Sequence, residues 1–197
     1  MQGMDSETRS KLVAALWQVT AEQGWNGLTL ARVAASAGVP LAELRWRCPS
    51  RLHLLRLHGQ AMDAAVLADA EAQQHGSPRD RVFDTLMRRI DAMQPHRAGL
   101  LRLFQDVQRD PLLALLLRAE LPGSMAWMLE AAGIPSAGLL GLLRVKGTTA
   151  VWLATVRAWA KDETQDLAPT MAALDRALDQ AEKLARSLRL PPPEGAD

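Results

Sequence analysis

The chain has 197 residues, of which 48% are hydrophobic and 23% charged, a composition typical of a folded soluble protein and not of a disordered chain. Its 23 Lys and Arg residues are balanced by 22 Asp and Glu residues, so the net charge of +1 excludes a polyelectrolyte that binds nucleic acid over its whole surface. The single cysteine, Cys48, excludes a disulfide framework and a cysteine-based zinc site. Residues 1–10 are polar and lack an apolar core for export, which predicts a cytoplasmic protein.

Capping residues and apolar spacings predict four helices at the start of the chain. Thr29 and Ser50 precede two of them, and such side chains accept hydrogen bonds from the unpaired N–H groups of a first helical turn. Gly24 is expected to end the first helix. The predicted helices run over Glu7–Gly24, Leu30–Ala37, Leu41–Arg47 and Arg51 to about Gln74.

Breaks that contain proline or capping residues divide the remainder into further helices. These breaks are His75–Pro78, Gln94–Pro95, Asp110–Pro111, Leu121–Ser124 and Gly133–Ser136. Two long helices follow, over about 136–161 and 167–188. Few aromatic residues and scarce β-branched runs argue against a large sheet, so we predict an all-α fold. It would comprise a three-helix DNA-binding head over residues 1–50, a helical ligand-binding and dimerisation domain over 51–190, and a flexible tail over 191–197.

The second and third predicted helices form the pattern of a helix–turn–helix. They are joined through Gly38, and glycine readily adopts the positive φ that a sharp turn between helices requires. Ala34 is small where the two helices must cross closely. Val33, Val39 and Leu44 would supply the small core of this motif.

Charge supports a role of this head in DNA binding. Residues 1–60 contain seven cations and four anions, a local charge of +3, and Arg45, Arg47 and Arg51 crowd the junction of the third and fourth helices. Arginine suits both phosphate and the guanine edge, although a solvated basic face is the alternative. The predicted DNA-binding residues are Thr29, Leu41, Glu43, Arg45, Trp46, Arg47 and Arg51.

The segment Val33–Val39 resembles the motif Ile-Ala-x-x-Ala-Gly-Val of TetR-type transcriptional regulators. In that family a short helix ending in Leu-Tyr-x-x-Phe follows, then a Lys that opens helix four. Here Leu44–Cys48 has Arg45 in place of the Tyr and Cys48 in place of the Phe, and Arg51 replaces the Lys. The resemblance implies a dimer that binds operator DNA and responds to an effector.

A second resemblance lies near the C-terminus. Trp159–Asp166, followed by Thr170 and Leu174–Arg176, is similar to the pattern Trp-x-x-Asp-x-Ser-x-Asp, Thr, Leu-Asp-Arg of the ubiquinone-biosynthesis accessory proteins, with Thr164 in place of the Ser. Those proteins bind lipids and have a TetR-like fold. This resemblance implies the alternative function, a lipid- or isoprenoid-binding accessory protein of quinone biosynthesis that does not bind DNA.

The last two predicted helices suggest a homodimer. One face of the penultimate helix consists of small residues, and the last helix carries a narrow apolar seam of the coiled-coil type. Two such helices from each subunit would form a four-helix interface, although they could instead close the core of the monomer. The predicted interface residues are Gly147, Ala150, Ala154, Ala158, Leu174 and Leu178.

The opposite face of the penultimate helix carries large apolar residues that we expect to face inward. Together with Met and aromatic residues of the middle helices they would line a cavity for an apolar small molecule or lipid, although an ordinary core is the alternative. The predicted ligand-binding residues are Met87, Phe104, Trp127, Trp152, Val156 and Trp159.

No catalytic chemistry assembles in the sequence. His53 and His58 are five residues apart, which does not place two ligands on one helical face, and Cys48 is interpreted as a small core residue. We therefore predict no catalytic residue, metal or cofactor. The most membrane-like stretch, 137–160, is interrupted by Arg144, Lys146 and Arg157, so no stable membrane span is expected. The leading hypothesis is a TetR-like repressor with an apolar or lipid-like effector.

Overall fold

The computed structural model describes residues 6–68 and 75–191, in which every regular element is helical, and it confirms the all-α prediction for these residues. A short 3₁₀ turn, Gln94–His96, precedes the sixth helix. The helices are α1 Ser6–Gly27, α2 Leu30–Ala37, α3 Leu41–Arg47, α4 Arg51–Leu67, α5 Pro78–Met93, α6 Arg97–Val107, α7 Pro111–Ala131, α8 Gly138–Trp159 and α9 Ala168–Ser187.

The described residues belong to two compact units. The first unit contains the chain up to Ala61 together with Met93–Arg118, and the second contains Met62–Ala92 and the chain from Ala119 onward. The first unit thus joins α1 to α3 and most of α4 with α6 and the start of α7. The division at residue 50 into a DNA-binding head and a second domain, which is a functional division, stays a prediction.

Side-chain capping explains why the helices near Thr29 and Ser50 begin where the sequence predicts. The bounds of α2 and α3 are those predicted. The Thr29 hydroxyl accepts a hydrogen bond from the Arg32 N–H at 3.2 Å, and the Ser50 hydroxyl accepts one from the His53 N–H at 3.4 Å. These bonds satisfy N–H groups that the first helical turn leaves unpaired, as expected.

One predicted helix break is wrong, and one predicted helix end is confirmed. α7 continues through Pro122, where we predicted a break. Burial of Met125 and Met128 stabilises the following turns against the lost hydrogen bond and the steric clash that a proline causes inside a helix. Gly24 ends the regular part of α1 as predicted, because its φ of 67° and ψ of 175° are not helical, and a further helical turn continues the span to Gly27. The predicted end of the fourth helix near Gln74, and residues 192–197 of the predicted tail, lie outside the described residues.

The core of the first unit is built on α1 and α6, which pack closely. Leu12, Leu16 and Trp17 of α1 are buried, and a β-carbon at Gly99 of α6 would lie 2.5 Å from the Trp17 carbonyl oxygen. Glycine at this position therefore permits the close approach of the two backbones.

A pair of histidine rings lies against the same tryptophan. The centroid of the Trp17 ring lies 4.7 Å from that of His58 and 6.4 Å from that of His96. Partial burial lowers the pKa of His96, so this imidazole is neutral near pH 7 and packs, half-buried, against Trp17.

In the second unit α8 packs on α9, and α5 is tied to α9 by ion pairs. The Arg79 guanidinium donates hydrogen bonds to the carboxylates of Asp175 and Asp179 at 2.7 and 2.8 Å. Trp159, Leu174 and Leu178 are buried in this unit. The last two helices therefore hold part of the subunit's own core.

The connection between α8 and α9 is organised by the carboxylate of Asp162. It accepts hydrogen bonds from the backbone N–H of Thr164 and of Thr170, both at 3.0 Å, and from both threonine hydroxyls. Burial acts to raise the pKa of Asp162, but these hydrogen bonds outweigh burial and lower it from 3.8 to about 2. The motif from Trp159 to Thr170 thus has a structural explanation, in which it shapes a helix connection.

We expect Asp162→Ala to destabilise the protein at neutral pH and to weaken the acid dependence of its stability. The folded-state pKa lies below the usual value, so the contribution of this carboxylate is present above about pH 4 and is lost as the pH falls toward 2. The free energy of unfolding should be measured with denaturant at pH 7 and at pH 3. Asp166→Ala is the control, because Asp166 is exposed and accepts a single bond from Ala168. If both variants lower the free energy of unfolding equally at neutral pH, the hydrogen bonds of Asp162 do not have the stabilising role given to them here.

Two helices are long and apolar enough to cross a membrane by length and composition alone. They are α7 and α8, and core helices of soluble proteins pass the same test. α8 contains Arg144, Lys146 and Arg157, and α7 contains Pro122. The absence of a stable span stays a prediction.

Candidate nucleic-acid interface

The turn between α2 and α3 has the geometry that its sequence predicts. Gly38 is left-handed, with φ 66° and ψ 27°, and the N–H of Val39 donates to the Ala34 carbonyl at 3.0 Å. Val33 and Leu44 are fully buried and join the two helices. These contacts pack α3 against α2 in the arrangement of a helix–turn–helix.

The outer face of α3 is exposed and unusually apolar for a surface. Trp46 is 89% exposed and Leu41 is 52% exposed, and Arg45 projects beside them. Trp46 is the most exposed large apolar side chain among the residues that the structure describes. The structure therefore leaves three predicted DNA-binding residues exposed on α3, with Leu41 and Arg45 one turn apart and Trp46 next to Arg45.

The other predicted DNA-binding residues are engaged within the first unit. The Glu43 carboxylate forms an ion pair with Arg47 at 3.0 Å, one turn apart on α3. The Thr29 hydroxyl caps α2, so its oxygen is already used by the protein.

Arg51 has a different environment from the one we predicted. Its Nη1 donates to the carbonyl of Trp25 at 2.8 Å, and its guanidinium lies 4.7 Å from the centroid of the Trp25 ring. The side chain therefore ties the start of α4 to the end of α1 and does not extend into solvent with Arg45. The predicted patch of three exposed arginines reduces to Arg45, with Arg47 beside it.

We expect Arg51→Ala to lower the free energy of unfolding by about 1–2 kcal/mol, because it removes a charged hydrogen bond and a cation–π contact. Arg45→Ala is the matched comparison and should change stability by less than about 0.5 kcal/mol, since its side chain is exposed. Denaturant unfolding of the two variants measures the difference. Equal stability of both would show that the Trp25 contact contributes nothing.

Cys48 ends α3 and is fully buried. Burial raises the pKa of its thiol, and the nearby charge of Arg47 acts in the opposite direction with a smaller effect. A thiol that stays protonated in a core fits the interpretation of Cys48 as a packing residue.

A groove of about 420 Å³ runs between α1 and α2 on the first unit. It is open, its lining surface is about equally polar and apolar, and none of the predicted ligand-binding residues lines it. Its lining residues are Gln18, Val19, Glu22, Gln23, Arg32, Ala35 and Ser36.

The predicted ligand-binding residues do not form one cluster. Trp152 and Trp159 are buried in the second unit as expected, and Met87 and Val156 are half-buried there. Trp127, which we expected to face inward, is 55% exposed. Phe104 belongs to the first unit.

The predicted dimer residues separate into two groups. Leu174 and Leu178 are buried within the subunit, so they belong to its own core. Ala150 and Ala154 are exposed, and Gly147 and Ala158 are partly exposed, on the outer face of α8. Exposed leucines that the sequence analysis did not single out extend this face toward the start of α8, and they are Leu139, Leu142 and Leu143.

Sequence reasoning also missed a buried charge on α5. Arg89 is 4% exposed and forms an ion pair with Asp63. The available signal was its position one turn beyond Thr85 and next to Ile90, inside the apolar stripe of that helix.

Comparison with known proteins supports the fold. The solved structure of a TetR transcriptional regulator from Nitrosomonas europaea ATCC 19718 superposes with a TM-score of 0.70 at 21% identity, covering 89% of this chain and 98% of that one. A TetR transcriptional regulator from Rhodococcus sp. RHA1 superposes with a TM-score of 0.63 at 17% identity, covering 89% of this chain and 95% of that one.

No protein-family model and no curated protein matches the chain. The resemblance to ubiquinone-biosynthesis accessory proteins gains no support from the comparisons, and the hydrogen bonds of Asp162 account for its central residues. The structural likeness covers both units, but the sequence identity is low, so it shows a shared fold. The chain has the fold of TetR-type transcriptional regulators.

Proposed function

We propose that the protein is a cytoplasmic transcriptional repressor that binds operator DNA as a homodimer, and that it is not an enzyme. The observation that carries this proposal is the exposed surface of α3, from which Leu41, Arg45 and Trp46 project while the helix packs on α2. A helix presented in this way fits the major groove of B-DNA.

The three side chains can form different kinds of contact with DNA. Arg45 can form hydrogen bonds with a phosphate or with the O6 and N7 atoms of guanine, and a good bidentate base contact discriminates by about 1–3 kcal/mol. Leu41 and Trp46 offer apolar surface to thymine methyl groups and sugars. The local charge of +3 over residues 1–60 would attract the phosphate backbone.

A dimer would place two recognition helices on successive major-groove segments, about 34 Å apart. The exposed stripe of α8 is suited to form the interface, because Leu139, Leu143, Ala150 and Ala154 recur at helical spacing on one face. Small residues at its centre allow two helices to approach closely. The second unit would then supply the dimer interface, and we assign to it the binding of an apolar or lipid-like effector.

The test compares Arg45→Ala with Arg176→Ala, which removes an exposed arginine from α9. Binding to the DNA upstream of the protein's own gene should be measured by fluorescence anisotropy at fixed salt. We expect Arg45→Ala to weaken binding at least about tenfold, which corresponds to the loss of one good contact in each subunit. Arg176→Ala should bind as the wild type does. Equal affinity of both variants would contradict the assignment of α3 as the recognition helix.

A further inference from the structure

The buried stripe of α5 contains a cation. Arg89 lies between Leu86 and Ile90, which are fully buried, and is itself 4% exposed. A guanidinium carries five N–H donors, and leaving any of them unsatisfied in a core costs free energy. The partners of Arg89 therefore indicate what its position requires.

One edge of the guanidinium is neutralised within the second unit. Its Nη1 donates to Oδ1 of Asp63, and the Ser124 hydroxyl donates to the same oxygen at 2.6 Å. Burial lowers the pKa of Arg89, and the Asp63 carboxylate acts against this effect. Arg89 and Asp63 together form a buried pair with no net charge.

The other edge has an unused donor. The Nε of Arg89 is buried and has no hydrogen-bond partner among the residues that the structure describes. The surroundings are apolar, since the Trp152 ring centroid lies 5.3 Å from the guanidinium carbon and the Met128 sulfur lies 3.9 Å from Nη1. An acceptor with an apolar body would complete this environment.

The cluster lies just below the surface at a weak point of α7. Pro122 lacks an N–H and so removes one helical hydrogen bond, and a β-carbon at Gly123 would meet nothing within 4 Å. Ser124 follows directly, and the Asp63 side chain that it contacts is 15% exposed. This turn of α7 is therefore joined to the ion pair through the Ser124 hydroxyl.

We propose that Arg89 recognises the effector, and that the effector is a neutral apolar molecule with a carbonyl oxygen that accepts a hydrogen bond from Nε. This inference rests on the proposed function, in which the second unit binds a small molecule. A neutral acceptor is favoured over a carboxylate because Asp63 already balances the charge of Arg89. A second anion would be buried without a counter-charge, which is costly.

Three probes of similar size separate these possibilities: butyrophenone, which has a carbonyl, butylbenzene, which has none, and 4-phenylbutyrate, which is an anion. Binding to the full-length protein without DNA should be measured by isothermal titration calorimetry. We expect butyrophenone to bind about tenfold more tightly than either of the others, the effect of one hydrogen bond to a charged donor.

The decisive variant is Asp63→Leu combined with Arg89→Met. It removes both charges, so that neither remains buried alone, and replacement of a buried pair by apolar residues commonly preserves folding. We expect this variant to bind butyrophenone and butylbenzene equally. Arg81→Gln is the matched control, because Arg81 is also on α5, its guanidinium donates to the carbonyls of Ala132 and Gly76, and the variant should keep the preference for the ketone.

Three results would overturn the inference: no saturable binding of butyrophenone, tighter binding of 4-phenylbutyrate, or a preference for the ketone that survives in the double variant. Operator binding of the ligand-free protein is measured separately and does not depend on Arg89. Intact operator binding without the expected probe preference would thus reject this inference alone, whereas loss of operator binding in the wild type would reject the proposed function.

Discussion

Ala154→Arg should convert the protein from a dimer to a monomer. Ala154 is exposed on α8 within the stripe that also contains Ala150 and Leu143, and in a dimer its small side chain would lie where two helices meet. An arginine there would place a bulky cation in the interface without a partner. Analytical ultracentrifugation should show the wild type as a dimer and the variant as a monomer at the same concentration.

The same substitution should weaken operator binding about 100-fold, because the second recognition helix would no longer be held at a high effective concentration. Ala98→Arg is the control, since Ala98 is an exposed alanine on α6, in the first unit. It should remain a dimer and bind DNA with unchanged affinity. A dimer that persists in Ala154→Arg would show that the outer face of α8 is not the interface.

Gly99→Ala should destabilise the first unit by about 1–3 kcal/mol, the usual cost of overpacking a well-packed contact. The added β-carbon would lie 2.5 Å from the Trp17 carbonyl oxygen and 2.9 Å from a ring carbon of the same residue. The first neighbour is backbone, so α1 and α6 would have to separate. Denaturant unfolding followed by tryptophan fluorescence measures the loss.

Gly59→Ala should change the stability of the same unit in the opposite direction. Gly59 lies within α4, and a β-carbon there would meet nothing within 4 Å. Alanine favours the helix by up to about 1 kcal/mol relative to glycine, so this variant should be at least as stable as the wild type. If both variants change stability by the same amount and sign, close packing at Gly99 is not what determines the effect.

Short-range signals were sufficient to predict the helix–turn–helix. Thr29 caps α2 and Gly38 adopts a positive φ because each satisfies a requirement within four residues along the chain. The same reasoning failed at Pro122, where burial of the following methionines outweighs the loss of one hydrogen bond. Local patterns do not contain the tertiary burial that decides such a case.

The individual roles of charged residues could not be predicted, because their partners are distant in sequence. Arg51 is held by the Trp25 carbonyl 26 residues away, and Arg89 is paired with Asp63, also 26 residues away. Charge counting therefore placed Arg51 with Arg45 and overlooked Arg89. The exposed Trp127 shows the same limit, since an aromatic residue in an apolar helix can face either side.

The most direct test of the account is the salt dependence of DNA binding by the wild-type protein. The affinity for the DNA upstream of its own gene should be measured between 50 and 200 mM salt, beside an unrelated fragment of equal length. We expect a linear fall of log K with log salt, with a slope of about −5 for several phosphate contacts per dimer, and an affinity at least about 1,000-fold above that for the unrelated fragment. Binding that is absent, or that does not change with salt, would contradict the claim that the exposed face of α3 binds DNA.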